Sequence, residues 1–576
     1  MKNKFSFALI ALITVSLSLP IFVFAQQRPN QAAGRTSGKS DLPPASSRRT
    51  GARSSATTIL SIDQDFKDAL NIIRENYIDG NKIDYNNAYK SSMTGMLRTL
   101  DPHSSYFDRD EFEELKTDQR SEYFGIGATI QNYLVGDAVE TYITATFDHS
   151  PAYRGGLRYG DRIDAVDGVS MHGKPSADVR DKIRGPRDSH VKVTVTRAGT
   201  GQVETVDIVR AAVGQPSVPD YYMIRPGVGY VDMTRGFNYD TAELMQDALD
   251  NLHKRGLNSL VLDLRNNPGG FLDSAIAVAS IFLPQGQLIL TQKGRNGLND
   301  RIYRSNNPDP DRTPLVILVN EYTASASEIV SGAMQDHDRA LIVGQTSFGK
   351  GLVQSIINLP EGAGLTLTSA KYFTPSGRLI QRDYSNGGWY DYISRGGTLH
   401  EAYSDKPAGP ASKTDTGRPV YGGGGITPDE TVKEGTFTTP PRYYDGVELR
   451  LRQPIFFFAR ELVNGRVNGF EQYKNDRAIV FDHDITANEL PVTGALFKAF
   501  SDYIAKDASW KQLIPQLERK HSFIESELRF QLATAAYGSV AALQVTTKED
   551  PQIAKAVDVM PRARDLAAAT RARSSP

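Results

Sequence analysis

The chain has 576 residues, 39% hydrophobic and 23% charged, with 66 basic groups against 67 acidic ones. One core holds about 100–200 residues, so several folded units are expected, and the balanced charge leaves no electrostatic footprint for nucleic acid. Cysteine is absent, which excludes disulfides, a thiol nucleophile, Cys-based metal or haem attachment and a lipoprotein anchor; hydrolytic chemistry must rest on hydroxyl, carboxylate, imidazole or amine groups.

Residues 1–25 read as an export signal: Lys2 and Lys4 give a positive start, the run from Phe5 to Phe24 is almost wholly apolar, and Val23-Phe24-Ala25 suits cleavage. Mature protein would begin near Gln26 and lie in the periplasm or envelope. The apolar run also reaches the about 18–20 residues that span a bilayer, so an uncleaved anchor is the alternative. Residues 26–60 are rich in Ser, Arg, Ala, Gly and Pro without apolar periodicity, the composition of a disordered tether. Residues 61–120 form a small helical region, with Phe66, Leu70, Ile73 and Tyr77 at helical spacing and a second amphipathic stretch from Ala88 to Leu100 that ends at Asp101-Pro102.

Residues 121–213 switch to short β-type runs between Gly and Asp turns, with one helix-like segment, Ser176–Ile183. Residues 214–440 alternate β runs, such as Leu260-Val261-Leu262-Asp263-Leu264 and Leu315-Val316-Ile317-Leu318-Val319, with helix-length patterns, the signature of an α/β domain. Residues 441–576 return to amphipathic helices, opened by Leu449, Leu451, Ile455, Phe458 and Leu462, and carry no motif; a structural or oligomerising role is expected. The fold class is therefore α/β multidomain.

Two segments carry chemistry. In Asn320-Glu321-Tyr322-Thr323-Ala324-Ser325-Ala326-Ser327-Glu328-Ile329, a serine follows a buried strand and opens a helix, beside backbone N–H groups able to bind developing negative charge. Ordinary N-capping, with a Glu three residues on, explains the same stretch. In Ser347-Phe348-Gly349-Lys350-Gly351-Leu352-Val353-Gln354, a lysine stands between two glycines after a strand. A solvated turn lysine is the plain alternative; a phosphate loop is not, because Gly351 and a β-type run follow where Ser or Thr and a helix are required. A serine hydroxyl needs a base, and a lysine serves when burial leaves its amine neutral. If a strand follows Lys350, Gln354 faces the same side and can orient the amine. The glycines of Asp263-Leu264-Arg265-Asn266-Asn267-Pro268-Gly269-Gly270 suit an oxyanion hole, although taken alone they fit a tight turn better. His103, His253 and His337 read as surface or structural groups.

His149-Ser150-Pro151-Ala152, Gly155-Gly156-Leu157-Arg158-Tyr159-Gly160-Asp161-Arg162-Ile163 and Val166-Asp167-Gly168 resemble a PDZ domain. Phe124-Gly125-Ile126-Gly127 looks like its carboxylate-binding loop, placed early as in the permuted bacterial arrangement. Together with Leu100-Asp101-Pro102-His103-Ser104 and Gly425-Ile426-Thr427-Pro428-Asp429, these segments resemble the C-terminal processing (tail-specific) peptidases over about residues 62–432. That resemblance implies a crotonase-like α/β core with the PDZ domain inserted as a hinged lid. It implies Ser325 as nucleophile, Lys350 as general base, Gln354 as its orienting partner, and N–H groups of Gly269 or Gly270 and of Ala326 as oxyanion donors. Ser327, two residues on, is the tempting wrong choice.

Arg184 is a candidate for coupling the PDZ domain to the core, against the reading of a solvated turn arginine. The implied reaction needs no cofactor, metal or ATP, and the implied partners are proteins or peptides with apolar C-termini, with an adaptor or a homo-oligomer as further partners. Two departures from the family pattern are Thr323 in place of Ser and Gly155 in place of Ala. The rival reading is a catalytically silent PDZ scaffold that binds tails in the envelope; a complete set of Ser325, Lys350 and Gln354 argues against it.

Overall fold

The computed structural model describes residues 59–119, 122–214, 216–385, 392, 409–432, 444–476, 478–486, 488–547 and 550–574. The expected export signal and nearly all of the tether lie outside these residues. Contacts divide the chain at Leu100 and Asp101. The smaller unit holds α1 (Ile59–Asn76) and α2 (Tyr85–Arg98), the latter capped by Asp84, whose carboxylate accepts the Asn87 N–H at 3.0 Å. The helical spacing of Phe66, Leu70, Ile73 and Tyr77 falls on α1, yet all four side chains are exposed.

In the larger unit, β1 (Ser105–Phe107) and α3 (Arg109–Gln119) precede a first module. It comprises β2 (Glu122–Gly125), β3 (Ala128–Val135), β4 (Ala138–Thr146), α4 (Pro151–Arg154), β5 (Arg162–Val166), β6 (Val169–Ser170), α5 (Ser176–Ile183), β7 (His190–Thr196), β8 (Val203–Val209) and β9 (Ala211–Gly214). Its antiparallel sheet runs β3-β4-β5-β7-β8, with β6 added to β5, while β2 pairs with β9. Strand alternation explains the core: Val191, Val193 and Val195 of β7 are fully buried and meet Ile143, Leu157, Ile163 and Val179.

The core that follows contains β10 (Tyr221–Arg225), β11 (Val228–Asp232), α6 (Thr241–Lys254), β12 (Ser259–Asp263), α7 (Leu272–Phe282), β13 (Leu288–Gly294) and β14 (Arg301–Arg304). It continues with β15 (Leu315–Val319), α8 (Ala326–Asp336), β16 (Ala340–Gly344), β17 (Leu352–Asn358), β18 (Gly364–Phe373), β19 (Ala411–Lys413), β20 (Pro419–Tyr421) and β21 (Glu430–Thr431). The main sheet has the order β10-β11-β12-β15-β16-β21 and is parallel from β11 onward. Every residue of β12 and β15 is buried, as expected of apolar runs covered on both faces. A second sheet has the order β1-β18-β13-β14, with β17 on β18.

The C-terminal region supplies α9 (Gly446–Val463), α10 (Gly494–Lys506), α11 (His521–Thr547), α12 (Pro551–Asp558) and α13 (Met560–Ser574). It is not a separate appendage. Helices α6, α7 and α8 cover one face of the parallel sheet; the other face, with Tyr230, Val261, Val316, Leu318 and Val343, is covered by Ile553, Ala556, Val559, Met560 and Ala563 of the last two helices and the turn between them.

A buried ion cluster fastens the same region to the turn after β12. Arg265, 1% exposed, donates to Asp263, to Asp550 Oδ2 at 2.6 Å and to Gln552 Oε1 at 2.9 Å. Removing one partner leaves charge buried and underpaired, so Asp550→Ala is expected to cost about 3 kcal/mol in urea denaturation. Helices α9 and α11 also grip the first module. Tyr133 stacks on Phe456 with ring centroids 4.3 Å apart, Tyr159 donates to Gln531 Oε1 at 2.8 Å, and Arg460 donates to the Gly160 carbonyl at 2.8 Å.

Candidate active site

The turns leaving the C-terminal ends of neighbouring strands β12 and β15 are laced together. Asn320 Oδ1 accepts the Asn266 N–H and Asn320 Nδ2 donates to Asn266 Oδ1, both at 2.9 Å; Thr323 Oγ1 donates to the Leu264 carbonyl at 2.8 Å; the Ala324 N–H reaches the Asn267 carbonyl at 2.9 Å. These bonds drive the chain through a sharp bend at Ser325, whose φ of 56° is costly for any residue but glycine. Ser325 is thus presented, half-buried, at the start of α8.

Gly269 lies against it: a Cβ there would stand 2.8 Å from Ser325 Cβ and 2.9 Å from the Ala326 nitrogen. Gly269 donates its own N–H to Asn267 Oδ1 at 2.9 Å. Of the two glycines, therefore, Gly270 and not Gly269 keeps a free N–H among the described residues, as does Ala326 in the first turn of α8. Ser327 is fully buried and donates to the Asn267 carbonyl, a structural task.

The lysine segment is brought to the serine by one carboxylate. Glu328 Oε1 accepts Ser347 Oγ–H at 2.5 Å and the Gly349 N–H at 2.7 Å; Glu328 Oε2 accepts the N–H groups of Ser325 and Lys350, each at 2.8 Å. The Tyr372 hydroxyl, from β18, lies 3.0 Å from the Ser325 carbonyl and 2.6 Å from that of Lys350. Ile426, in the glycine-rich run before β21, completes the clamp by donating its N–H to Ser347 Oγ at 2.6 Å.

Burial pushes the Lys350 ammonium down to about 8, against the opposing pull of Glu328 and Asp101. Burial alone would raise the Asp101 carboxyl, but hydrogen bonds from Ser104, His103 and Thr368 hold it below its ordinary value. His103 is half-buried, with its Nε2 2.9 Å from the Tyr392 hydroxyl; burial, then Lys350 and Arg382, push it down to about 3, so it is neutral.

Gln354 is placed differently from its expected role. Lys350 lies ahead of β17, which begins at Leu352, so counting by alternation from Lys350 does not run along a strand. The register shift between Val353 and Gln354 skips Ser369 on β18 and leaves β17 itself regular. The Gln354 amide donates to Thr368 Oγ1 at 3.2 Å instead of to Lys350, and Thr368 in turn donates to Asp101 Oδ1 at 3.0 Å. Glu328, Asp101, His103 and Tyr372 are site residues that sequence reasoning missed. The spacing of Glu328 to Ser325 is visible in the sequence, but only as a helix cap, and His103 reads there as a surface or structural group.

A model of peptidase family S41 matches residues 227–387, and a PDZ-domain model matches residues 142–197. A carboxy-terminal-processing protease of Bartonella bacilliformis is 36% identical over 298 residues, 51% of this chain and 67% of that protein. One from Synechocystis sp. is 34% identical over 308 residues, 53% of this chain and 71% of that protein. The chain belongs to the carboxyl-terminal-processing protease family. It is a serine-type peptidase that carries a PDZ domain. Among solved structures, a photosystem II D1 C-terminal processing protease aligns at 31% identity, with a TM-score of 0.32, over 54% of this chain and 83% of that one.

In this processing protease Phe124 and Gly125 end β2, while Gly125, Ile126 and Gly127 are buried. The N–H groups of Ile126 and Gly127 meet no acceptor among the described residues. Gly127 has a φ of 72° and packs so closely that a Cβ would stand 2.4 Å from that of Ser150, so this turn requires glycine. Arg184 is exposed and caps the C-terminal end of α5.

Proposed function

We propose that this protease captures exported or envelope proteins by unstructured, apolar C-terminal tails and cleaves them with Ser325 as nucleophile and Lys350 as general base. The observation that carries this reading is the shared Glu328 Oε2, which accepts the N–H groups of both residues and so holds the two segments at one point. The neutral Lys350 amine takes the proton from Ser325 Oγ as it attacks the scissile carbonyl. Developing negative charge on the carbonyl oxygen falls to the free N–H groups of Gly270 and Ala326. The resulting ammonium protonates the departing amine, and water, activated by the same lysine, releases the acyl group from Ser325.

We read the helix-covered parallel sheet as crotonase-like and the first 25 residues as an export signal, so that the enzyme acts in the periplasm or envelope. Gln354 in this reading steadies the base through Thr368 and Asp101. Arg184, at the end of the helix that flanks β3, is proposed to couple tail binding to the core. Tail capture draws on the free N–H groups of Ile126 and Gly127 for the terminal carboxylate and on the edge of β3 for the extended chain.

The test is an overnight digest of one unfolded protein bearing either an apolar or a charged C-terminus. Cleavage of the apolar-tailed form, at least about tenfold faster than the charged form and absent with Ser325→Ala, is the expected result. Equal cleavage of both would overturn tail selection, and no cleavage by either enzyme would favour the scaffold reading.

A further inference from the structure

Strand β3 is an edge of the PDZ sheet: β4 pairs with one side of it, and among the described residues no strand pairs with the other. In an extended chain alternate residues turn both N–H and C=O to the same side. Leu134 turns its pair toward α9, where the Gln453 side chain meets both: the Leu134 N–H donates to Gln453 Oε1 at 3.2 Å, and the Leu134 carbonyl accepts from Gln453 Nε2 at 2.6 Å. Counting back by twos, Asn132, Ile130 and Ala128 face the same side. The register shift between β3 and β4 skips Thr144 on β4, so the alternation along β3 itself is unbroken. The Gly127 carbonyl agrees with that count, since it accepts the Phe147 N–H at 3.0 Å on the β4 side.

A primary amide has the donor and acceptor of a ladder residue, and Gln453 uses both on Leu134. The helix that carries it is held there independently, by Tyr133 of β3 stacked on Phe456 and tilted against Phe457 with centroids 5.6 Å apart. We propose that Gln453 is the end wall of the tail groove and sets how many C-terminal residues the PDZ domain reads. This rests on the tail-docking reading given above. With the terminal carboxylate at Ile126 and Gly127, the first, third and fifth tail residues pair with Ala128, Ile130 and Asn132. The seventh would need the backbone of Leu134, which Gln453 already holds. Recognition therefore ends after about five residues, and the rest of the substrate must turn away from the sheet at α9.

The experiment measures binding by fluorescence anisotropy to the full chain carrying Ser325→Ala, with and without Gln453→Ala. The probes are apolar free-carboxylate peptides of three, five, seven and nine residues and an amidated five-residue control. With Gln453 present, affinity should rise from three to five residues and then stay level within about twofold. Gln453→Ala should leave the five-residue affinity unchanged, which also reports an intact groove, and should let the seven-residue peptide bind about three- to tenfold more tightly than the five, the gain of one or two net hydrogen bonds. A gain from five to seven residues with Gln453 in place, or a plateau unmoved in Gln453→Ala, overturns the end wall while tail docking stands. Failure of every free-carboxylate peptide to bind better than the amidated control overturns tail docking, and the end wall with it.

Discussion

Alanine at Ser325 and alanine at Lys350 will each lower kcat by about 10⁴–10⁶-fold, and the double variant will be no slower than the slower single one, because residues that act as one unit lose their effect together. Lys350→Arg will be as inactive as Lys350→Ala: a guanidinium keeps its proton at any working pH and cannot serve as base. The same argument fixes the pH profile. Burial brings Lys350 down to about 8, and in the proposed mechanism the neutral amine is the active form, so kcat/KM should climb with pH and level off above about 8. His103, pushed down to about 3, stays neutral across this window and contributes no limb of its own.

Stability carries a matching sign. The unfolded chain keeps the lysine proton up to its ordinary 10.5, whereas the folded chain gives it up near 8, so this group adds stability as pH rises through that interval. Steady-state kinetics and chemical denaturation across it measure both effects. Activity greatest in acid would exclude a lysine base.

How much of this was legible in the sequence depends on the reach of each contact. The Gly349-Lys350-Gly351 run stands out locally, because a lysine between two glycines after a strand has little helical or packing reason to be there, whereas the Ser325 stretch taken alone fits an ordinary helix cap. The place expected for Gln354 rests on alternation counted from Lys350, which lies ahead of β17, whose first residue is Leu352. Glu328 was visible only as a cap because its other partners, Ser347, Gly349 and Lys350, lie 19 to 22 residues downstream. Periodicity sees one element at a time.

The C-terminal helices illustrate a signal that was present but unread. The continuous apolar runs of β12 and β15 demand cover on both faces of the sheet. With α6, α7 and α8 assigned to one face, the amphipathic stretch near the end of the chain was available for the other, where Ile553, Val559 and Met560 in fact lie. The grip of α9 on β3 had no such signature: Gln453 is an ordinary polar residue on a helix until the edge of β3 is seen beside it.

Glu328→Gln will cost more than the loss of one charge suggests. Its two oxygens accept four hydrogen bonds, two on each side, and every partner is a donor. An amide has one oxygen. Whichever way it is set, its NH2 faces two other donors, either Ser347 and Gly349 or Ser325 and Lys350. Stranding or displacing two buried donors at about 1–3 kcal/mol each should lower stability by about 2–6 kcal/mol. Because the serine and lysine segments meet through this carboxylate, a displacement of about 1 Å between them should lower kcat by about 10²-fold or more in the fraction that remains folded.

The substitution also removes the negative charge that holds the Lys350 pKa up, so the rising limb of the residual pH profile should move to lower pH. Glu328→Asp keeps the charge but draws it back by one methylene, and should therefore lose rate without that displacement of the limb. A helix cap alone would behave otherwise: Glu328→Gln would then lower stability but leave kcat and the limb where they were. That result would remove Glu328 from the catalytic apparatus.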